Sequence, residues 1–250
     1  MKKTNLPILI LIAICAALSI SAQGQNDKIE QAIAKALREM PSSAASPREF
    51  IPKDWTVNSV EQGDLNGDGL TDYVLDMVID DTARERIMRN EDGTMFLTPS
   101  IIVVTFGGAG NRQYLFAANS RLKAMYEFSN LFTARVVKNV VVVDEDYSSS
   151  NDANHVTFRY RYDPTEKRLM LIGFDFEYYT RDKIGNSVKT SENYLTGDRI
   201  ITVKESERRR NGEFYYARTK ITKEKFKPRR IAFEDTFLNR EGGYIEARPF

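Results

Sequence analysis

His155-Val156-Thr157-Phe158-Arg159-Tyr160-Arg161-Tyr162-Asp163-Pro164-Thr165-Glu166 decides the fold class. Val156, Phe158, Tyr160 and Tyr162 alternate with Thr157, Arg159 and Arg161, the period of a strand with one face in a core. Asp163-Pro164-Thr165-Glu166 then supplies turn residues, and a return strand is expected from Arg168 to about Tyr179. Another strand ends near Tyr194 and Leu195, turns through Thr196-Gly197-Asp198 and returns as Arg199 to Glu207, and Asn211-Gly212 closes a further hairpin. Successive hairpins describe an antiparallel meander, which needs no long crossovers.

Upstream, Val57 to Glu61, Tyr73 to Ile79, Ile101 to Phe106 and Gln113 to Ala117 read as strands. Gly107, Gly108 and Gly110 form a tight connection between the last two. Asn26 is expected to cap a helix from about Asp27 to Met40, with Ile29, Ile33, Ala36, Leu37 and Met40 at helical spacing. Pro41 to Pro52, rich in Ser, Ala and Pro, reads as a linker. The expected fold is therefore mainly β, with antiparallel hairpin sheets and one N-terminal helix. Residues 80–98, where Asp92-Gly93 offers a turn, and residues 223–250 carry too little periodicity to assign.

Lys2 and Lys3 precede an apolar run from Leu6 to Ile20, and Ser21 and Ala22 follow it. This is the layout of a secretory signal peptide over residues 1–22. The run falls short of the roughly 20 apolar residues that span a bilayer. Ile14 stands where a lipidated Cys15 would need a small residue. The expectation is a periplasmic or extracellular protein with no membrane span after cleavage. Residues 23–52 form the helix and linker, and 53–250 a single β-rich domain. Without residues 1–22, the 36 basic residues lose Lys2 and Lys3, leaving 34 against 35 acidic ones, so bulk charge recruits no nucleic acid. The mature chain also has no cysteine, so packing, hydrogen bonds and any bound ion must stabilise it.

The segment Gly63-Asp64-Leu65-Asn66-Gly67-Asp68-Gly69-Leu70-Thr71-Asp72-Tyr73-Val74-Leu75 carries sharper chemistry. Calcium is a hard cation that takes six to eight oxygens, and a short loop converges on it through alternate residues. Asp64, Asn66, Asp68 and Asp72 would supply side-chain oxygens and Leu70 its backbone carbonyl. Gly69 permits the sharp turn, which a side chain would resist by about 1 to 2 kcal/mol. Leu75 stands where an EF-hand places a bidentate Glu, so the EF-hand is excluded. Without that Glu, affinity falls in the class of about 10⁻⁴ to 10⁻³ M. The competing reading is an Asp/Asn/Gly turn that binds nothing.

GDLNGDGLTDYVL resembles the calcium loop of FG-GAP and VCBS-type repeats, and IIVVTFGGAGNRQYLF resembles the strand, turn and strand that follow it there. The likeness covers roughly residues 55–117. It implies calcium binding, and in those families the repeats build β-propellers that often serve adhesion or carbohydrate-linked functions. A propeller needs several blades, and no second such loop occurs, so a complete propeller is not expected here. HVTFRYRYDPTEKRLMLIGFDFEY and SENYLTGDRI resemble uncharacterised exported bacterial proteins that pair one such loop with a β-rich C-terminal half.

Other signals have bland explanations. His155 is the only histidine, which rules out three-histidine zinc and reads as a structural or surface residue. Asp175 and Glu177 share a strand face, as a glycosidase pair would, but exposed strands commonly carry such residues. The basic runs Arg208 to Arg210 and Lys220 to Arg230 suit solvated edges or an anionic surface. Aromatics from Tyr160 to Tyr216 suit a core, or a platform for sugar or peptide. The leading functional expectation is a non-enzymatic, calcium-stabilised binding module whose partner is a carbohydrate or an envelope protein. The rivals are a polymer hydrolase using carboxylates and a structural component of an envelope complex.

Overall fold

The computed structural model describes residues 28–88, 99–120, 129–148, 152–180, 186–210, 214–239 and 244–247. The expected signal peptide, the Asn26 cap and the turns at Asp92-Gly93 and Asn211-Gly212 lie outside them. Among the described residues, no helix is long and apolar enough to cross a membrane.

The chain is mainly β. Strands β1 (Ser43–Ala44), β2 (Trp55–Gly63), β3 (Asp72–Ile79), β4 (Ser100–Gly108) and β5 (Arg112–Asn119) form one antiparallel sheet in the order β1-β5-β4-β3-β2. The second sheet holds β6 (Ser129–Val137), β7 (Val140–Ser148), β8 (Asp152–Asp163), β9 (Arg168–Thr180), β10 (Ser187–Asn193), β11 (Asp198–Arg208) and β12 (Phe214–Lys225). Each of these strands pairs with its neighbours in sequence, so the sheet is the expected meander, extended by the hairpin β6–β7. A short ladder joins β13 (Thr236–Asn239) to β14 (Tyr244–Ala247). Among the described residues neither large sheet closes into a barrel, and no propeller is formed.

Strand period explains how the two sheets meet. Val156, Phe158 and Tyr160 on β8, with Leu169, Leu171 and Phe174 on β9, turn inward onto Val74, Ile102 and Val104 of the five-stranded sheet. The other face of that sheet carries Trp55, Leu75, Met77, Ile101 and Val103, which pack against Ala36 of helix α1 (28–39) and Met40 just after it. Three layers result, in which the five-stranded sheet is apolar on both faces. Leu37, expected on the buried stripe, is instead 39% exposed, so the stripe is narrower than its spacing suggests. A second helix, α2 (Asp81–Met88), occupies part of the unassigned stretch and buries Ala83 beside Ile29 and Ile79.

The segment that reads as a linker carries structure of its own. Ser43 and Ala44 pair with Tyr114 and Gln113, and Phe50 is fully buried. At the C-terminal side, Ile231 and Phe233 enter the core between the sheets. Asn119 donates from Nδ2 to the carbonyls of Phe233 and Thr236, and Arg168 pairs with Glu234 at 2.7 Å and Asp235 at 2.6 Å. Two hairpin turns share one design. Asp163 Oδ1 accepts from Thr165 and Glu166 N–H groups, and Asn193 Oδ1 accepts from Leu195 and Thr196. Lys167 and Gly197 then take the left-handed conformation that closes each turn.

The layering predicts an uneven cost of mutation. Phe158→Ala should lower unfolding free energy by about 3 to 5 kcal/mol, because the ring is fully enclosed between the sheets. Ile221→Ala, at a site 60% exposed on edge strand β12, should change it by about 0.5 kcal/mol or less. Urea titrations of both variants check this contrast, and equal losses would contradict the layer assignment.

Candidate functional site

The loop that reads as a calcium site joins β2 to β3 at the end where the five-stranded sheet meets β6. Gly63 sits so close to this neighbour that a Cβ there would come within 2.7 Å of Val136 Cγ1. Leu65, between the first two expected donors, is 3% exposed and belongs to the main core. The loop is thus pinned from inside by an apolar side chain, which its Asp/Asn/Gly composition hides.

Around this anchor the loop folds on its own carboxylates. Asp64 Oδ1 accepts from the N–H groups of Gly67 at 2.7 Å and Asp68 at 3.1 Å, and Oδ2 accepts from Gly69 at 3.0 Å. Asn66 accepts from Asp68 N–H at 3.0 Å and donates from Nδ2 to Asp68 Oδ2 at 2.9 Å, while Asp68 Oδ1 accepts from Leu70 N–H at 2.8 Å. Gly67 and Gly69 have φ of +79° and +81°, so the turn expected at position six is doubled.

Asp72 is different, being fully buried at the start of β3. Its Oδ2 accepts from Leu65 N–H at 2.7 Å and its Oδ1 from Gly107 N–H at 2.9 Å. One carboxylate therefore straps the loop to β4. Gln113 adds a second strap, donating from Nε2 to Thr71 O at 3.1 Å while its Oε1 accepts from Thr105 Oγ1 at 3.1 Å. Gly107 is needed for this approach, since a Cβ there would stand 2.8 Å from Thr71 O. Burial pushes the Asp72 carboxyl above its ordinary range, the Gly107 and Leu65 amides pull it back, and the charge of Asp68 pushes it up again.

The donor set suits a hard cation by chemistry. A carboxylate offers about four lone-pair positions, and none of the three is filled by the hydrogen bonds above. Among the described residues, no Lys or Arg pairs with Asp64, Asp68 or Asp72. Also among the described residues, no group of three or more His, Cys, Asp or Glu stands close enough to hold a metal ion. A bound ion would therefore draw these three carboxylates closer together than they stand here.

The outer face of the seven-stranded sheet holds the other candidates. The β7–β8 register sets Asp146 opposite His155 and Asp144 opposite Thr157. His155 Nδ1 lies 2.6 Å from Asp146 Oδ1 and its Nε2 lies 3.1 Å from Thr157 Oγ1, which in turn donates to Asp144 Oδ1 at 2.6 Å. Arg135 closes the chain on Asp144 at 2.8 Å. This is an Asp-His-hydroxyl alignment, yet Thr157 is 4% exposed and its single proton is engaged by Asp144, so its hydroxyl is poorly presented to a substrate.

Asp175 accepts from Ser191 Oγ at 2.6 Å and Arg159 Nη2 at 2.7 Å. Burial works to raise its carboxyl, but the Ser191 hydroxyl and the Arg159 guanidinium outweigh it and hold the group below its ordinary value. A general acid needs the opposite shift, so the Asp175 and Glu177 pair fits a hydrolase poorly. Among the described residues, Tyr215 and Tyr216 form no shared platform on β12. Tyr215 and Tyr216 are consecutive and face opposite sides, with Arg209 and Lys204 each 5.1 Å from the ring centre.

Comparison with models of known families, with curated proteins and with solved structures finds no match to this chain. The likeness to FG-GAP and VCBS-type repeats is carried by the loop and strand residues alone.

Two outcomes follow from this geometry. Asp72→Ala should cost about 2 to 4 kcal/mol even in chelator, because it leaves two amides unsatisfied at a buried position, whereas Asp64→Ala should cost less. Denaturant midpoints in chelator decide this, and a milder loss for Asp72→Ala than for Asp64→Ala would refute the strap. Ser191→Ala should cost about 1 kcal/mol at pH 7 and almost nothing near pH 2. The lowered Asp175 contributes stability above its unfolded value of about 3.9. That contribution fades as pH falls through the folded value, so midpoints at the two pH values supply the check.

Proposed function

We propose that this chain is an exported, non-enzymatic binding domain that holds one calcium ion at the β2–β3 loop in a structural role. The supporting observation is an all-oxygen set, Asp64, Asn66, Asp68, the Leu70 carbonyl and Asp72, lying in nine residues between two strands with no countercharge from Lys or Arg among the described residues. The Asp72 carboxyl, raised first by burial and to a lesser degree by the charge of Asp68, adds to this, since a cation would favour its ionised form. The N-terminal leader motivates the periplasmic or extracellular setting, where millimolar calcium would occupy a weak site. A carbohydrate or an envelope protein is the expected partner.

In this role the ion supplies no chemistry to a substrate. It would hold the loop against the start of β3, a position already tied to β4 through Asp72, and so stiffen the end of the sandwich near β6. Calcium at tenfold its dissociation constant should add about 1.4 kcal/mol, or about 3 to 6 °C in Tm for a domain of this size. Thermal melts of the native protein should rise by that amount between chelator and calcium, while Asp68→Ala should barely respond. Superimposable melts of native protein in calcium and in chelator would sink the proposal.

A further inference from the structure

The seven-stranded sheet has a notch beside β9. Strand β10 pairs with β9 only from Gly173 to Tyr179, and Tyr194 makes the last bond on that side, donating to Ile172 O at 3.1 Å. Beyond it the C-terminal segment takes over, with Leu171 N–H donating to Ile231 O at 2.8 Å and Met170 bridging to Ala232. Between the two partners opens a cleft of about 250 Å³. Met170 and Tyr162 line it on the sheet side, and Tyr194 and Leu195 on the other. The walls are rigid, because Tyr194 donates to Glu192 Oε2 at 3.0 Å and stacks edge-on against Phe226.

Charge in this cleft is unbalanced. Arg161, Arg229 and Arg230 line it with a single carboxylate, Asp163. Arg230 is committed to Asp163 and Glu166, and its guanidinium, with the Glu166 and Thr165 amides, holds the Asp163 carboxyl below its ordinary range. Arg161 and Arg229 make no hydrogen bond or ion pair among the described residues. Two free guanidiniums beside apolar and aromatic walls match a ring that carries one carboxylate and an apolar C–H face. Toward β12 the same sign continues, since Lys223, which the cross-strand register sets on the same sheet face as Arg161, and Lys227 just beyond the strand also lack an acidic partner among the described residues. Such a track suits a polymer with repeated negative charge better than a single small acid.

We propose that this notch binds one uronate residue of an acidic polysaccharide, with Arg161 and Arg229 on the carboxylate and the Tyr194 and Leu195 wall against the ring. The inference rests on the reading of the chain as a binding module but not on its calcium.

The test is fluorescence anisotropy of a short labelled hyaluronan oligosaccharide with the intact protein, in calcium and in chelator. Circular dichroism of each sample confirms folding. The expected result is saturable binding that Arg161→Gln with Arg229→Gln weakens by about tenfold or more, as loss of charge-assisted hydrogen bonds should. Arg218→Gln with Lys220→Gln, on the edge strand, should weaken it by less than about threefold. A neutral chitin oligosaccharide should not compete. No binding by the folded protein, equal loss in both double variants, or equal competition by a thymidine oligonucleotide would each overturn the proposal. A protein whose melting ignores calcium but which still binds hyaluronan through the two arginines would lose its calcium reading and keep this one.

Discussion

Everything in this molecule depends on two antiparallel sheets burying their inward faces against each other. The β8 and β9 aromatics can reach Val74, Ile102 and Val104 only because strand period sends every second side chain inward. A one-residue slip of β8 would present Arg159 and Arg161 to the core and Tyr160 to water, so register is strongly specified there. The five-stranded sheet is held on both faces, by the larger sheet and by helix α1, which explains the near-continuous apolar run from Ile101 to Val104.

The β2–β3 loop inherits its position from that core. Leu65 enters the main cluster, Asp72 ties the loop to Gly107, and Gln113 ties Thr71 to β5. Asp68 is exposed and Asn66 half-buried, each bonded only within the loop, whereas Asp72 is fully buried and bonded outside it to Gly107. Were Asp72 to serve as a ligand as well as a strap, it would couple an ion at this site to the order of three strands. Such coupling would favour a structural over a signalling role for an ion, because the same carboxylate is not released without loosening β4.

Much of this architecture was legible in the residues. Alternation placed β8, and the turn residues Asp163 to Glu166 and Thr196 to Asp198 placed β9 and β11, whereas the part of Asn193 in the second turn shows only in its bonds. The hairpin β6–β7 was not read, because valines fill both faces of β7. Val141 and Val143 point inward and Val142 is also 5% exposed, so no alternation shows. Its turn, Lys138-Asn139, with both residues at positive φ, was the available signal. Missing β7 also hid the partners of His155, since Asp144 and Asp146 reach it only through that register. The donor spacing from Asp64 to Asp72 was plain, but the duty of Asp72 was not, because Gly107 lies 35 residues away. The linker-like composition of residues 41–52 likewise concealed a strand and the buried Phe50.

The change of partner along β9 has an evolutionary corollary. Because β10 and the segment around Ile231 meet β9 at different heights, the opening between them is bounded by a hairpin tip on one side and a chain crossing on the other. Lengthening or trimming the tip at Tyr194 and Leu195 would resize the opening without altering Phe158, Tyr160 or Leu169 beneath it. The size of this opening could therefore drift among descendants of this chain through small insertions at one surface turn, while the sandwich that bears it stays unchanged.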